Sequence, residues 1–454
     1  MDLRNKKVTI IGLGESGISS ALLLHQKGAV VSVTDDKDSR EIRKNAEILK
    51  EKYIDLEIGK HSESFLEDSE LIVVSPGVEQ TALPISYARK NDIPVISELE
   101  LGYQFCKGPI IAVTGTNGKS TVVSLLGEVL RRANIPVKVC GNIGNSLSGE
   151  IQKINKNTVA VVEVSSFQLE WIKSFRPKIS VILNISEDHL DRHAGLDDYA
   201  NLKKKILENQ EKGDIAVLNY DDTILRKIAE SAKINSKVFY FSTKQKVKGV
   251  YLDKGSPKVR VKKKEEKLFS LAGAKIEGAH NVENILAVIL VAVLLGIKSR
   301  HIENAVKGFS PLAHRFEKVG TVKSVEFIDD SKATNIDATR RALASLKVPA
   351  ILIAGGKDKN LSFKKILPLM RKKVKKLILI GEAKDKMRSI FKDAVSLKEA
   401  NTLDGAVKEA FKSASPGDVV LLSPMCSSFD MFRDYKERGE AFKRAVEGLK
   451  NEEC

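Results

Sequence analysis

PIIAVTGTNGKST, residues 109–121, predicts a strand, a glycine loop and a helix in direct succession. An apolar run over 110–113 leads into the loop, and residues 122–132 then place apolar side chains at helical spacing. Glycines let successive backbone N–H groups converge on an anion, and the start of a helix adds partial positive charge. The stretch therefore predicts a site for nucleotide phosphates, although Val113 stands where the full P-loop pattern has glycine.

Roles for single residues follow from the same loop. Lys119 can reach the terminal phosphates, and the hydroxyl of Ser120 can ligate Mg²⁺. The alternative is a tight turn that merely contains a lysine. The residues predicted to bind phosphate are Gly115, Thr116, Asn117, Gly118, Lys119, Ser120 and Thr121.

Length and composition describe a globular protein of several domains. The 454 residues suggest about three domains, and 42% hydrophobic with 30% charged residues is ordinary for a globular chain. The longest apolar run, 285–295, is too short to cross a bilayer, and the first residues show no signal-peptide core. We therefore expect a cytoplasmic protein that does not span a membrane. Four widely spaced cysteines without a CxxC pair argue against a disulfide framework or a cysteine zinc site.

The formal net charge of +16 favours anionic partners. Lysines alternate with glutamates, as in residues 262–267, and only 6% of residues are aromatic, so we expect no nucleic acid partner. A polyanionic small substrate or the charged surface of a heat-adapted protein explains the excess equally well.

Residues 1–97 alternate between predicted strands and helices, which is typical of a parallel sheet covered by helices. Residues 12–17 form a GxGxxG turn after the strand 8–11, and Asp35 and Asp36 end the next strand. This is the dinucleotide-binding arrangement, and taken alone it predicts an NAD-dependent oxidoreductase. A second turn, 75–77, follows the strand 71–74 at another carboxyl strand end, where such sheets bind ligands.

Two buried strands in residues 98–311, predicted at 159–164 and 179–184, each deliver polar residues at their carboxyl ends. An acid there suits Mg²⁺, which takes oxygen ligands; the alternative is that this strand end is only a helix N-cap. A helix over 196–210 carries three lysines, for which a solvated face is the default interpretation, and 250–271 predicts a polar hairpin. Asn281 and Asn284 share a face at the start of an apolar helix, where their amides are suited to a base or a phosphate. The alternative is that Asn281 caps the helix.

A third α/β unit is predicted over 312–454, with strands at 325–328, 350–354, 377–380 and 419–422. The loops 330–335, 355–359 and 423–429 follow three of these strands at their carboxyl ends. The predicted fold class is therefore α/β with three domains, at 1–97, 98–311 and 312–454.

Taken together, these motifs resemble those of the Mur ligases, ATP-dependent enzymes that form amide bonds in the peptidoglycan stem peptide. Within the family they are most similar to the members that add D-glutamate, and the Asp-Asn-Pro motif of the diaminopimelate-adding and lysine-adding members is absent from this sequence. The resemblance covers nearly the whole chain, through residues 115–121, 163–168, 184–192, 280–284, 314–317, 330–335 and 421–439.

The resemblance implies a Rossmann-like UDP-binding domain, a central P-loop ATPase-like domain and a C-terminal Rossmann-like domain. It implies UDP-N-acetylmuramoyl-L-alanine, D-glutamate and ATP as substrates, two Mg²⁺ sites and an acyl-phosphate intermediate. The first Mg²⁺ would be held by Ser120 and Glu163 and the second by His189 and a carbamylated Lys203. Asn142 would lie near the acyl phosphate, so the implied catalytic residues are Lys119, Asn142, His189 and Lys203.

Substrate contacts are implied in the same way. Residues toward the nucleotide sugar are Glu15, Ser16, Asp35, Asp36, Lys37, Ser75 and Gly77, and further implied substrate contacts are Asn142, Ser165 and Gln168. Further residues toward ATP are Asn281, Asn284, Arg315, Asp330 and Lys332. The D-glutamate pocket would comprise Thr334, Lys359, Ser428, Phe429 and Tyr435.

Three other functions stay open at the level of sequence. A sister ligase could add L-alanine or another amino acid. An NAD-dependent oxidoreductase would explain the GxGxxG turn but leaves residues 115–121 and the acidic strand ends unexplained. A catalytically silent nucleotide-binding protein is the third. We expect a monomer.

Overall fold

The computed structural model describes residues 2–188, 192–193, 195–231, 234–261, 265–275, 278–359 and 361–452. These residues form three sheets with helices packed on them, each sheet built mainly of parallel strands. The predicted three-domain α/β fold is confirmed.

The first sheet is entirely parallel, with strand order β3-β2-β1-β4-β5. Its apolar strands are buried because helices cover them, as parallel sheets require. A core cluster that includes Ile11, Ile72 and Val74 is covered by α3 and α4, the helices on either side of β4 along the chain. The elements are β1 (Lys7–Ile11), α1 (Glu15–Gln26), β2 (Val30–Asp35), α2 (Arg40–Lys50), β3 (Asp55–Ile58), α3 (Glu63–Leu66), β4 (Leu71–Val74), α4 (Leu83–Lys90), β5 (Val95–Ser97) and α5 (Glu98–Phe105).

The second sheet has strand order β14-β13-β12-β11-β10-β9-β6-β8-β7 and is parallel except for its last two pairings, β12 with β13 and β13 with β14. Its elements are β6 (Ile110–Thr114), α6 (Lys119–Arg132), β7 (Val137–Gly141), α7 (Leu147–Glu150), β8 (Val159–Glu163), α8 (Ser166–Glu170), β9 (Ile179–Ile182), α9 (Leu196–Lys204), β10 (Ile215–Asn219), α10 (Thr223–Ser231), β11 (Lys237–Ser242), β12 (Gly249–Asp253), β13 (Ser256–Arg260), β14 (Glu266–Lys267) and α11 (Ala279–Leu294). Short 3-10 turns lie at Ile151–Lys153 and Lys205–Leu207.

The third sheet has strand order β15-β16-β20-β17-β18-β19, with one antiparallel pair, β15 and β16. Successive residues of β17 alternate between two core clusters, Leu352 in one and Ile351 and Ile353 in the other, so both faces of this sheet are buried. Helix α12 (Ser299–Gly308) precedes this sheet along the chain. The elements of the third sheet and its helices are β15 (Glu317–Val322), β16 (Val325–Asp329), α13 (Ile336–Ser345), β17 (Ala350–Gly355), a 3-10 turn (Phe363–Ile366), α14 (Leu367–Lys373), β18 (Val374–Ile380), α15 (Lys384–Phe391), β19 (Leu397–Glu399), α16 (Leu403–Lys412), β20 (Val419–Leu422) and α17 (Tyr435–Glu452).

Most of the predicted strands agree with the structure to within one residue at each end. The predicted helix over 196–210 was too long, because α9 ends at Lys204 and a 3-10 turn follows. The predicted hairpin over 250–271 is present as β12 and β13, which extend the second sheet. Helix α11 begins at Ala279, so Asn281 lies inside its first turn and the capping account for Asn281 was wrong. No helix of the described ranges is long and apolar enough to cross a membrane.

The chain also divides into two compact units. The first comprises residues 1–184, 200–271 and 285–306 and contains the first two sheets. The second comprises residues 185–199, 272–284 and 307–454 and contains the third sheet.

Each sheet reverses its strand order beside a strand whose following loop was singled out from the sequence. β1 lies between β2 and β4, β6 between β8 and β9, and β20 between β16 and β17. In open parallel sheets a crevice forms at the carboxyl edge where the order reverses, and ligands bind there. The strand order thus brings the predicted loops of each sheet together.

Helix α1 packs directly on the first glycine turn, which gives a test of that contact. A Cβ at Gly17 would lie 1.9 Å from the carbonyl oxygen of Gly12, whereas a Cβ at Gly14 would meet nothing within 4 Å. We expect Gly17→Ala to lower the free energy of unfolding by roughly 1–3 kcal/mol, since the helix must move outward.

The measurement is urea denaturation followed by the fluorescence of Trp171, the single tryptophan, which packs against the core cluster of the first sheet. Gly14→Ala is the matched control and should change stability by less than about 1 kcal/mol. Equal effects of the two substitutions would contradict the prediction.

Candidate active site

The phosphate loop connects β6 to α6 and has the backbone conformation that its glycines predicted. Gly115 and Gly118 have φ angles of +152° and +89°, in a region that residues other than glycine rarely adopt. Gly118 is the N-cap residue of α6, so the helix begins at Lys119. The predicted succession of strand, loop and helix is confirmed.

Asn184, which the sequence did not single out as a site residue, organises this loop. Its side chain accepts from the backbone N–H of Asn117 (2.9 Å) and donates to the carbonyl of Asn117 (3.1 Å). Its own carbonyl accepts from the N–H of Thr116 at 2.9 Å. The available signal was a polar residue directly after a buried strand, β9, that neighbours β6.

Two lysine ammonium groups meet at one carbonyl oxygen of the loop. Lys119 Nζ donates to the oxygen of Gly115 at 2.8 Å and to that of Thr116 at 3.0 Å, and Lys203 Nζ donates to Gly115 at 3.1 Å. Lys203 is only 1% exposed, whereas Lys204 and Lys205 are half-buried. The structure therefore brings Lys203, of the three successive lysines, to the phosphate loop.

Glu163 ends β8, the strand beside β6, with one carboxylate oxygen engaged and one not. Oε1 accepts from the side-chain amide of Asn142 at 2.9 Å, and the N–H of Asn142 donates to the carbonyl of Glu163 at 2.9 Å. Oε2 is fully buried and has no hydrogen-bond partner among the described residues. A buried carboxylate oxygen without a donor is costly, and a hard cation would satisfy it.

Ser165 and Gln168, both predicted substrate contacts, form the capping box of α8. The Ser165 hydroxyl accepts from the N–H of Gln168 at 3.3 Å, and Oε1 of Gln168 accepts from the N–H of Ser165 at 3.0 Å. Ser165 is therefore the N-cap of α8, and Gln168 is 2% exposed.

Asp35 anchors two loops at the carboxyl edge of the first sheet. One carboxylate oxygen accepts from the N–H of Leu13 at 2.7 Å and the other from the N–H of Lys37 at 2.9 Å. Ser75, after β4, donates to the carbonyl of Gly12 at 3.2 Å. The other predicted residues lie at the same edge, with Ser16 half-buried and Glu15, Asp36 and Gly77 exposed.

In the second compact unit, the turn at residues 314–317 holds two residues with left-handed backbone, His314 (φ +61°) and Phe316 (φ +52°). Such a backbone persists only where surrounding contacts fix it. His314 Nδ1 lies 2.7 Å from Asp329 Oδ2, and the N–H of Phe316 donates to Asp330 at 3.1 Å. These bonds fix the turn that presents Arg315, one of the predicted ATP contacts.

Ligand atoms of His314, Glu317 and Asp329 lie within 4.8 Å of one another, which is close enough to share a metal ion. Each is already engaged, however, since Glu317 accepts from the N–H of His314 at 2.8 Å and pairs with Lys443 at 3.0 Å. The cluster is explained by the turn that it stabilises.

Arg438 of α17, which sequence reasoning passed over, joins the loops after β16 and β20. Its guanidinium donates to the hydroxyl and the carbonyl of Ser331 and to the carbonyls of Cys426 and Ser427, at 2.8–3.2 Å. It is 1% exposed, and burial lowers its pKa to about 10. Nothing in its local sequence distinguishes it from the exposed arginines of the same segment.

The predicted D-glutamate residues lie on loops of the third sheet and make contacts of several kinds. Lys359 pairs with Asp188 at 3.1 Å, and Asn335 donates to the other oxygen of Asp188 at 2.9 Å. The Lys332 ammonium lies 3.9 Å from the ring centroid of Tyr435. Of the remaining residues, Thr334 is half-buried, Ser428 is buried and Phe429 is 68% exposed.

Asn281 and Asn284 share a face of α11, as the sequence predicted. Asn284 donates to the side-chain oxygen of Asn281 at 3.3 Å. His189, predicted to hold metal, lies outside the described residues.

Comparison with known proteins identifies the family. Three family models match in succession: "Mur ligase MurD-like, N-terminal domain" at residues 6–97, "Mur ligase middle domain" at 113–292 and "Mur ligase, glutamate ligase domain" at 314–426. The chain belongs to the Mur ligase family.

Individual relatives match over the full length. The chain is 42% identical, over 100% of both chains, to a UDP-N-acetylmuramoylalanine–D-glutamate ligase of Koribacter versatilis. It is 43% identical to the protein of that name from a Thermoanaerobacter species, over 99% of this chain and 100% of the relative.

Solved structures agree on the fold. The MurF ligase of Thermotoga maritima in complex with ADP superposes with a TM-score of 0.62 at 15% identity, covering 100% of both chains. The UDP-N-acetylmuramate-alanine ligase of the same organism gives 0.60 at 20% identity, covering 97% of this chain and 99% of that one.

Asp330 gives a pH-dependent test of this site. Burial raises its pKa to about 7, although hydrogen bonds from Ser423 and Phe316 oppose the rise. Because the folded protein then holds this proton more tightly than the unfolded chain, the stabilising contribution is complete below about pH 4 and is lost as pH rises through about 7.

We expect Asp330→Asn, which stays neutral, to remove this pH dependence. In urea denaturation without nucleotide, the variant should gain stability relative to the wild type between pH 4 and pH 8, by about 4 kcal/mol at most, since one pKa unit corresponds to about 1.4 kcal/mol. A difference that stays constant over this range would contradict the assignment.

Proposed function

We propose that this protein is an ATP-dependent ligase that joins D-glutamate to UDP-N-acetylmuramoyl-L-alanine in peptidoglycan precursor synthesis. The observation that carries the proposal is the full-length identity of 42–43% to relatives that bear the name of this ligase. The phosphate loop, with Lys119 and Lys203 at the Gly115 carbonyl, supplies the site that such a reaction needs.

In the proposed reaction, the free carboxylate of the alanyl group attacks the γ-phosphorus of ATP and ADP leaves. The amine of D-glutamate then attacks the acyl phosphate, and the tetrahedral intermediate expels phosphate as the amide forms. Such chemistry depends on positioning and on neutralising phosphate charge. Lys119 would turn from the loop carbonyls to the phosphates, and the amide of Asn142 would lie near the acyl phosphate.

The residues beside the loop fit a magnesium ion. The buried Oε2 of Glu163 has no partner among the described residues. Ser120 is buried at the start of α6, the helix that follows β6, and β6 pairs with the strand that ends at Glu163. We propose that Ser120 and Glu163 hold Mg²⁺, which would neutralise charge on the phosphates. A second Mg²⁺ would be held by His189 and Lys203.

Lys203 would serve as a metal ligand only after its amine has reacted with CO₂. A carbamate replaces a cationic amine with anionic oxygens, and the reaction needs the neutral amine, which burial favours. Lys203, at 1% exposure, is the buried one of the three successive lysines, whereas Lys204 and Lys205 are half-buried.

Substrate roles are proposed for the remaining predicted residues. The turn at residues 12–17, with Asp35, Asp36, Lys37, Ser75 and Gly77, would bind the nucleotide sugar, together with Ser165 and Gln168. Arg315, Asp330, Lys332, Asn281 and Asn284 would bind ATP. D-Glutamate would meet Thr334, Lys359, Ser428, Phe429 and Tyr435, with Lys359 exchanging Asp188 for a substrate carboxylate.

We also propose that the enzyme acts in the cytoplasm as a monomer, with domain boundaries at 97 and 311. Cell fractionation and sedimentation equilibrium test the first two statements, and limited proteolysis tests the boundaries. Enzyme in the membrane fraction, a stable dimer, or cleavage confined to other segments would contradict them in turn.

The function is tested by purified protein supplied with UDP-N-acetylmuramoyl-L-alanine, ATP, Mg²⁺ and one amino acid at a time. We expect phosphate release and a product of the ligated mass with D-glutamate. Lys119→Ala should slow the reaction by at least about 100-fold, because the phosphate charge is no longer neutralised. Lys107→Ala, at an exposed lysine, is the matched control and should be unchanged.

Each alternative has its own outcome in this experiment. Product with another amino acid in place of D-glutamate would identify a sister ligase. Tight NADH binding without ATP hydrolysis would favour an oxidoreductase, and nucleotide binding without product would indicate a silent protein. Full activity of Lys119→Ala would refute the assigned loop.

The carbamate is tested by NMR in ¹³C-bicarbonate. We expect a carbamate carbon signal in the wild type that disappears in Lys203→Arg together with activity, since arginine has no amine of low enough pKa to react. Lys204→Arg should keep both the signal and the activity. An active wild-type enzyme without the signal would contradict the modification.

A further inference from the structure

Helix α5 bridges the first two sheets, and it carries two glutamates that are each only 1% exposed, Glu98 and Glu100. The helix follows β5 of the first sheet directly, and Ser97 caps it by accepting from the N–H of Glu100 at 3.3 Å. Buried carboxylates are rare unless paired, so both need an explanation.

The carboxylate of Glu100 is held by the segment that follows α8 in the second sheet's domain. Backbone N–H groups of three successive residues, Lys173, Ser174 and Phe175, donate to it at 2.9–3.1 Å. The hydroxyl of Ser174 donates at 2.5 Å and the amide of Gln104 at 2.8 Å. Convergent N–H groups of this kind form an anion-binding nest, here filled by a side chain of the same protein.

Glu98 and Gly102 fix the same helix to α7. The N–H of Ser148 donates to Glu98 at 2.7 Å. A Cβ at Gly102 would lie 2.8 Å from Leu147 Cγ, so α5 and α7 pack closely enough to exclude one.

Elements of the first sheet's domain also contact α7 and the end of α8, which both belong to the second sheet's domain. The N–H of Ser97 donates to the carbonyl of Trp171 at 2.9 Å, and the ring of Trp171 packs against the core cluster of the first sheet. On the other side, a Cβ at Gly149 of α7 would lie 3.0 Å from the hydroxyl of Ser19 in α1.

These contacts connect the turn predicted to bind the nucleotide sugar with the segments that carry Asn142 and Glu163 beside the phosphate loop. Helix α1 begins at the turn predicted to bind the nucleotide sugar, and α7 follows the loop that carries Asn142. The segment that binds Glu100 follows α8, which begins just after Glu163. Bonds that hold α5 in place therefore fix the spacing between the two loops.

We propose that Glu100 is a positioning residue for the ligase reaction: its carboxylate, held by the N–H groups of residues 173–175, sets the distance between the nucleotide-sugar turn and the phosphate loop. This inference rests on the proposed function. Neither Glu100 nor the residues that bind its carboxylate are among the predicted substrate contacts, so its loss should leave each substrate's binding intact and impair their alignment. A displacement of about 1 Å can slow a reaction by about 100-fold.

Glu100→Gln tests the proposal in the full-length protein. The glutamine amide keeps one acceptor but turns an NH₂ group toward backbone N–H donors, so the nest is disrupted with little change in volume. We expect kcat to fall by about 10- to 100-fold, while the separate dissociation constants for UDP-N-acetylmuramoyl-L-alanine and for ADP change by less than about 3-fold. The fluorescence of Trp171 should also shift in the folded variant.

Glu41→Gln, an exposed glutamate of α2, is the matched control and should match the wild type in every measurement. Ser174→Ala removes one donor to Glu100 and leaves the carboxylate in place, so it should lower kcat in the same way but less. It also decides the question if Glu100→Gln fails to fold.

Wild-type kcat in folded Glu100→Gln, or in Ser174→Ala when Glu100→Gln does not fold, would overturn the proposal. A fall in kcat that is matched by equal loss of nucleotide-sugar affinity would overturn it too, because Glu100 would then merely support the first domain. Failure of the proposed function is distinct, since the wild type would then form no D-glutamate product.

Discussion

The constraint on which this structure depends is that parallel strands bring their carboxyl ends to one edge of a sheet. In each of the three sheets the strand order reverses beside one strand. At the carboxyl edge, loops that are far apart in sequence therefore become neighbours. Glu163 lies opposite Val113, just before the phosphate loop, because β8 pairs with β6, and Asn184 contacts the loop because β9 pairs with β6 on the other side. A single rule of strand pairing therefore builds the candidate site.

Buried charge in this protein is balanced in three different ways. Buried Glu100 is satisfied by backbone N–H groups, and buried Arg438 by carbonyls and a hydroxyl. Asp330 is protonated more readily, because burial raises its pKa to about 7. Of these four groups, only Glu163 has a buried oxygen that lacks a hydrogen-bond partner among the described residues, and it is the group assigned to a metal. Incomplete hydrogen bonding distinguishes the candidate metal ligand within this set of four; Oε2 of Glu98 is also buried without a partner among the described residues.

The GxGxxG turn shows why one motif is a weak guide to function. Both carboxylate oxygens of its acid, Asp35, accept hydrogen bonds, from the N–H groups of Leu13 and Lys37, so Asp35 orders the turn itself. That role is equally compatible with a dinucleotide and with a nucleotide sugar. The full-length match to Mur ligases, and not this turn, is what favours the proposal of a nucleotide sugar.

The sequence by itself determined the α/β class, the strand–loop–helix around residues 115–121 and most strands, because apolar runs and glycines act over a few residues. It did not show that Lys203 is the buried lysine of its run, that Gln168 closes a capping box or that Asn184 and Arg438 hold loops in place. Those facts depend on contacts between residues distant along the chain. Only tertiary packing decides them, since burial and hydrogen-bond partners are set by which strands and helices become neighbours.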